Sequence, residues 1–291
     1  MTAINTTHSR AWLGIVVALA AGAAYAVANT SANIAYQAGS NAMTVAATRF
    51  LVPVIALFVW MRLGGVSLVL PKRDTVIAVL LGFVTALYTW ALLRSFNALP
   101  FALAVLTFYL FPLIAAILVA VLGWEKFIWR TGAAIALALI GLALALDVRG
   151  GNLDAGGIAL ALLAAVGLAV VIAVSSRMFG GGDARPLTFY MAAGACALLL
   201  VIGAGSGELA LPQTGAGWIA FTASSVVYGF AMIAFFIAVS MIGPVRTSLL
   251  SYADAVISAG LGVAVLGQAL TLVQVTGIAL VIVALVGATL R

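Results

Sequence analysis

From Trp12 onward the chain is a succession of ten apolar windows, at about 12–36, 41–62, 75–97, 100–122, 128–147, 155–178, 186–205, 213–241, 244–265 and 271–290, broken by Gly, Pro or charge. Each is close to the roughly 20 residues that cross the hydrocarbon core of a bilayer. With 66% hydrophobic and 7% charged residues, the chain lacks the charge to solvate the surface of a water-soluble core. In lipid a span must satisfy its own backbone hydrogen bonds, so the windows are predicted helices and the fold class is an all-α membrane protein. The first window, Trp12–Tyr36, is too long for the apolar part of a signal peptide and lacks a clear cleavage site. It is read as span one, preceded by an N-terminal tail, 1–11. Pro53 and Pro112 fall inside spans and are expected to bend them, because each frees a carbonyl one turn back.

Orientation follows from the basic residues. With both termini in the cytoplasm, the inner side receives Arg10, Arg62, Lys72, Arg73, Lys126, Arg130, Arg177, Arg185, Arg246 and Arg291, and the outer side or outer half receives only Arg49, Arg94 and Arg149. The net charge of +6 is spread singly between apolar runs, which argues against a nucleic-acid partner. An internal repeat is visible at an offset of 143 residues, which lays Tyr109 on Tyr252, Ile114 on Ile257 and Ala116 on Ala259 in spans four and nine. The same offset lays Gly14 on Gly157 and Ala18 on Ala161 in spans one and six. Five spans per copy is an odd number, so the copies, 12–147 and 155–291 joined by the linker 148–154, run in opposite directions. Two inverted five-helix repeats are an architecture of secondary transporters, which handle substrate near the midplane at the repeat interface.

Several short motifs accompany this pattern: Leu99-Pro100 at the start of span four, Tyr109-Leu110-Phe111-Pro112 within it, Gly123-Trp124-Glu125 at its inner end and Gly132 in span five. They recur as Ile242-Gly243-Pro244, Tyr252-Ala253-Asp254-Ala255, Gly267-Gln268 and Gly277, with Ala255 in place of the proline and Gln268 in place of the glutamate. On these motifs the chain resembles the drug/metabolite transporters, in particular the EamA-type ten-helix exporters, and most of all bacterial aromatic amino acid exporters. The resemblance implies a central cavity lined by spans one, three, four, six, eight and nine. It also implies residence in the bacterial inner (plasma) membrane.

The residues that can carry transport lie at mid-depth. Asp254 is near the middle of the 244–265 window, where an unpartnered carboxylate costs roughly 2.5–3.5 kcal/mol and normally faces water or a partner. Thr247, Ser251, Asp254 and Ser258 follow helical spacing and are expected on one face. Tyr25, Asn29, Asn33 and Tyr36 form a second stripe, able either to hold a polar solute or to hydrogen-bond neighbouring helices. Thr85, Tyr88, Thr89 and Trp90 in span three and Ser224, Ser225, Tyr228 and Met232 in span eight lie near mid-depth, where the aromatic side chains either stack on a flat substrate, close over a cation, or pack. Thr107, Phe108, Tyr109 and Phe111 precede the Pro112 bend, where a broken helix can expose backbone carbonyls to a cavity. Asp254 is a candidate for binding an ammonium group or carrying a coupling proton, or for a structural pairing with Arg49. Arg94 is expected to snorkel to the headgroups. The expected substrate contacts are thus Tyr25, Asn29, Asn33, Thr85, Tyr88, Trp90, Thr107, Tyr109, Tyr228, Ser251, Tyr252, Asp254 and Ser258.

Enzymatic chemistry finds no support. His8 is the sole histidine and Cys196 the sole cysteine, so no nucleophile–His–acid set and no thiolate or imidazole metal site can be built. Gly203, Gly205 and Gly207 are not followed by the Lys-Ser/Thr of a phosphate loop. No cofactor is expected. The expected function is that of a secondary transporter exporting small metabolites, amino acids and aromatic ones first, across the bacterial inner membrane by alternating access. The alternatives are export of purines, nucleosides or cationic drugs, or a channel-like facilitator. Coupling ion and oligomeric state stay open.

Overall fold

The computed structural model describes residues 2–99, 101–126, 128–147, 154–179, 182–266 and 271–289. Pro100, Arg149, Gly267, Gln268, Arg291 and nearly all of the linker 148–154 lie outside them. Among the described residues every regular element is an α-helix: α1 (Thr2–Gln37), α2 (Ala42–Arg49), α3 (Leu51–Leu63), α4 (Lys72–Ala98), α5 (Phe101–Phe108), α6 (Phe111–Val121), α7 (Trp129–Ala145), α8 (Ala155–Phe179), α9 (Arg185–Ser206), α10 (Gly215–Ile242), α11 (Pro244–Leu250), α12 (Ala253–Leu266) and α13 (Leu272–Thr289). Thirteen helices make ten spans because three spans are broken. Seven segments are long and apolar enough to cross a membrane, Trp129–Ala145 and Leu272–Gly287 are shorter apolar helices, and the remaining span is the α11–α12 pair. Helix α1 begins at Thr2, so the backbone of the polar tail continues the first span as helix.

Two of the breaks lie where proline predicts them. Pro53 has no N–H for the Arg49 carbonyl, and the helix is interrupted at Phe50; Pro112 has none for the Phe108 carbonyl, and the interruption falls at Tyr109–Leu110. The third break, at Ser251–Tyr252, lies one residue before the position that corresponds to Tyr109–Leu110 under the 143-residue offset, although Ala255 stands where a proline would be. The two broken spans meet there. Tyr252 is fully buried, donates its hydroxyl to the Tyr109 carbonyl at 2.7 Å, and stacks on the Tyr109 ring with centroids 5.5 Å apart.

The bundle interleaves its two halves: α1 packs along α10, α4 against α8 and α9, and α7 against α13. The α7–α13 contact is backbone on backbone, since a Cβ on Gly277 would lie 2.3 Å from the Ala145 nitrogen and 2.5 Å from the Gly141 carbonyl oxygen. Gly277 thus faces Gly141, and small residues set the approach of the two helices, as they do at many interfaces in lipid. Opposite the end where α1 starts, the stretch after α9 is tied over the α1–α2 corner. There the Gln213 amide donates to the Ala38 carbonyl (2.8 Å), Ser40 Oγ to the Ala210 carbonyl (3.0 Å) and the Ala210 amide to Thr44 Oγ1 (2.7 Å), while Asn41 Nδ2 donates to the Glu208 carbonyl. Arg94 joins this tie through an ion pair with Glu208 at 2.8 Å, so it is held by protein rather than extended to headgroups.

Two outcomes test the packing. Gly277→Leu is expected to cost about 1–3 kcal/mol or more, as overpacking does, and to lower the unfolding temperature of the detergent-solubilised protein; an unchanged melting curve would contradict the close α7–α13 contact. Tyr252→Phe leaves the Tyr109 carbonyl without its donor and is expected to cost about 1–3 kcal/mol, whereas Tyr36→Phe is expected to leave the same melt unchanged.

Candidate functional site

The broken crossing of spans four and nine places aromatic rings and hydroxyls in the middle of the bundle. Phe108 touches Tyr88 (6.4 Å between centroids, nearly parallel), Tyr109 (6.1 Å) and Phe111 (5.5 Å). On the other side Tyr25 meets Tyr228 edge-on at 5.4 Å and Phe235 at 6.3 Å, and Tyr228 meets Phe50 at 5.4 Å. Tyr25, Tyr88, Phe108, Tyr109, Tyr228 and Asp254 all remain partly exposed there, so the rings border open space rather than fill it.

That space opens toward one end. Thr247, Ser248, Leu249 and Leu250 of α11 are buried and α11 packs on α6, whereas residues 254 to 259 of α12 are all partly exposed. Asn29 and Asn33 share a face of α1 with Ala18, Gly22 and Tyr25. Ala18 and Gly22 are buried, Tyr25 is partly exposed, and Asn29 and Asn33 are exposed. The stripe therefore runs out of the packed core into an opening on the side where α1 ends.

Two charges border the aromatic cluster. Asp254 stands in the first turn of α12, where the partial positive charge of a helix N-terminus favours it. Its Oδ2 accepts from the Tyr109 hydroxyl at 2.9 Å and its Oδ1 from Ser258 Oγ at 3.1 Å. Arg49, the last residue of α2, lies with its Cζ 4.5 Å from the centre of the Tyr228 ring, and its Nε is buried without a hydrogen-bond partner. Tyr25 is within electrostatic reach of both charges, and the backbone of Asp254 passes 3.4 Å from where a Cβ on Gly22, one turn below, would lie. Among the described residues the two charges form no ion pair with each other, and neither has another ionic partner.

The remaining expected contacts divide sharply. Thr85 Oγ1 donates to the Leu81 carbonyl, Thr107 Oγ1 to Leu103 and Ser251 Oγ to Ser248, each spending its proton on its own helix. Trp90 lies beside Arg94, 5.8 Å from ring centre to Cζ, and Asn33 accepts from Gln37. The single polar face expected of Thr247, Ser251, Asp254 and Ser258 is divided by the break at Ser251–Tyr252: Thr247 is buried and bonded to the Gly243 carbonyl, while Asp254 and Ser258 stay together on α12. Arg49 belongs to the cluster although its basic charge alone assigned it to the outer half of span two. The signal for it was present in Pro53, which marks the bend beside it. Ser224 and Ser225 are buried with hydroxyls that have no partner among the described residues.

No curated protein sequence matches the chain. The fold recurs in a solved crystal structure of a protein that is 22% identical, with a TM-score of 0.80 over 95% of this chain and 96% of the other. Residues 155–290, the second half of the chain, match the EamA-like transporter family. Over that stretch the chain is similar to the EamA-like transporters, a family of membrane transporters of small molecules.

Proposed function

We propose that the chain exports zwitterionic amino acids, aromatic ones by preference, across the bacterial inner membrane by alternating access, with both termini in the cytoplasm. The observation that carries this reading is the pair of separated, ionically unpartnered charges, Arg49 and Asp254, on either side of Tyr25 in an aromatic-walled space. An unpaired charge at this depth is costly and is retained where a ligand completes it. A carboxylate group fits the guanidinium, whose planar fork matches it. An ammonium group fits Asp254, whose two acceptor oxygens each hold one hydroxyl and keep lone pairs free. The substrate's ring then has Tyr88 and Phe108 to stack on.

The thirteen residues named from the sequence enter this reading unequally. Tyr25, Tyr88, Tyr109, Tyr228, Asp254 and Ser258 form the wall; Asn29 and Asn33 line the approach; Thr85, Trp90, Thr107, Ser251 and Tyr252 hold the wall in shape. Organic cations are the second reading, favoured by Asp254 and the tyrosines, but they bring their charge beside Arg49. A channel-like facilitator is disfavoured by the buried inner half-helix α11. Proton coupling through Asp254 belongs to the proposal as its ion dependence.

In proteoliposomes, Arg49→Gln is expected to weaken L-phenylalanine transport by about 2 kcal/mol or more, roughly thirtyfold, while sparing phenethylamine, which lacks the carboxylate. Asp254→Asn is expected to weaken transport of both. Preference of the wild type for phenethylamine over phenylalanine would reject the zwitterion reading in favour of cations. Flux is also expected to saturate and to accelerate when unlabelled substrate is present on the far side; linear, unsaturated flux without that acceleration would mark a channel.

A further inference from the structure

A second cavity, of about 200 Å3, lies away from the aromatic cluster, between the ends of α6, α8, α10 and the start of α11. It is several times the volume of one water. Gly14 of α1 packs against Met241 and Ile242, so this cavity is at the end of the bundle where α1 starts, below the buried half-helix α11. Its lining includes Trp124, Glu125, Ser176, Arg177 and Ser240.

The chemistry of the lining is specific. Ser176 Oγ donates to the Ala173 carbonyl and Ser240 Oγ to the Ile237 carbonyl, both at 2.7 Å. Each hydroxyl has spent its one proton, so both present only acceptor lone pairs. They stand in the last turns of α8 and α10, where the helix ends carry partial negative charge. Glu125 adds a carboxylate, set against the backbone of the turn before α11: a Cβ on Gly243, which has φ +84°, would lie 3.2 Å from its Oε1. Among the described residues no hydrogen bond or salt bridge engages that carboxylate. Partial burial pushes it above the ordinary carboxylate range, and the Arg246 charge draws it back. Arg177 supplies a cation on the same wall.

We propose that this cavity is an entry site for a zwitterionic amino acid, its ammonium group held by Glu125 and the two serine oxygens and its carboxylate by Arg177, occupied before α11 moves. The identity of the ligand rests on the amino acid reading above; the site itself stands on its own acceptors. A substrate waiting here lies against Gly243 and Pro244, the start of α11, the element that closes the path in this reading.

The test is binding of radiolabelled L-phenylalanine to the full-length protein in nanodiscs, with wild type, Glu125→Gln, Asp254→Asn and the double variant. Two sites are expected in wild type. Asp254→Asn is expected to remove one and keep the other, Glu125→Gln the reverse, and the double variant is expected to bind nothing. In sided proteoliposomes Glu125→Gln is expected to raise KM from the α1-start side about tenfold, the loss of a charged hydrogen bond, with turnover at saturation and KM from the far side unchanged. A single wild-type site that Asp254→Asn removes and Glu125→Gln leaves intact would overturn the entry site while leaving the central reading standing. Binding lost with Glu125→Gln but indifferent to Asp254→Asn would do the opposite. A fall in turnover with KM unchanged would make Glu125 a latch on the Gly243 turn and overturn the proposal.

Discussion

A helix that breaks inside a membrane strands backbone carbonyls where no lipid atom can satisfy them, and each costs several kcal/mol unless protein or trapped water supplies a donor. Here the breaks of spans four and nine answer one another. The Tyr109 carbonyl at one break accepts from the hydroxyl of Tyr252 at the other, and the Tyr252 ring lies flat against Tyr109. On the α11 side the carbonyls of Gly243, Pro244 and Ser248 accept from Thr247, Ser248 and Ser251. Everything that gives the bundle an interior, the aromatic walls and the space between them, depends on these two spans being bent at the same depth.

The exchange is not symmetric, and the asymmetry is where chemistry enters. In a perfect repeat the Tyr109 hydroxyl would return the bond to the Tyr252 carbonyl; it goes instead to Asp254, whose counterpart in the first half is Phe111. One copy has an aromatic ring where the other has a carboxylate. The first half answers with Arg49 at its own interrupted span. Both charges lie at helix ends of the complementary sign, Asp254 at the start of α12 and Arg49 at the finish of α2, so the breaks that make the cavity also stabilise the charges in it.

Much of this was legible in the sequence. The ten apolar windows became spans, and the prolines at 53 and 112 marked two of three breaks, because span length and a missing N–H are local properties. The break at Ser251–Tyr252 was not legible: with Ala255 in place of proline it has no local cause and exists through its partner across the bundle. The sequence placed Arg49 in the outer half of its span and near enough to weigh against Asp254, but the tyrosine face that holds it was not legible, because a cation over a ring is a contact between distant spans. The threonines at 85 and 107 were read as polar groups free for a solute, but a hydroxyl bonded to the carbonyl one turn back looks the same in sequence as one that is free.

The hydrogen bonds also say which end of the bundle can move at low cost. At the end where α1 finishes, the two halves are tied by backbone and side-chain bonds from Ala38, Ser40, Asn41 and Thr44 to residues 208–213, with the Arg94–Glu208 ion pair beside them. At the other end the side-chain hydroxyls of α11 bond only within their own segment and its immediate turn, and its outward contacts are apolar packing and the Arg246 charge near Glu125. Moving α11 against α6 therefore slides side chains without breaking a hydrogen bond between helices among the described residues. Parting the opposite end would break several. In the alternating-access reading the tied corner is the pivot and α11 the moving gate, with the Gly243 turn, the one link between α10 and α11, as its hinge.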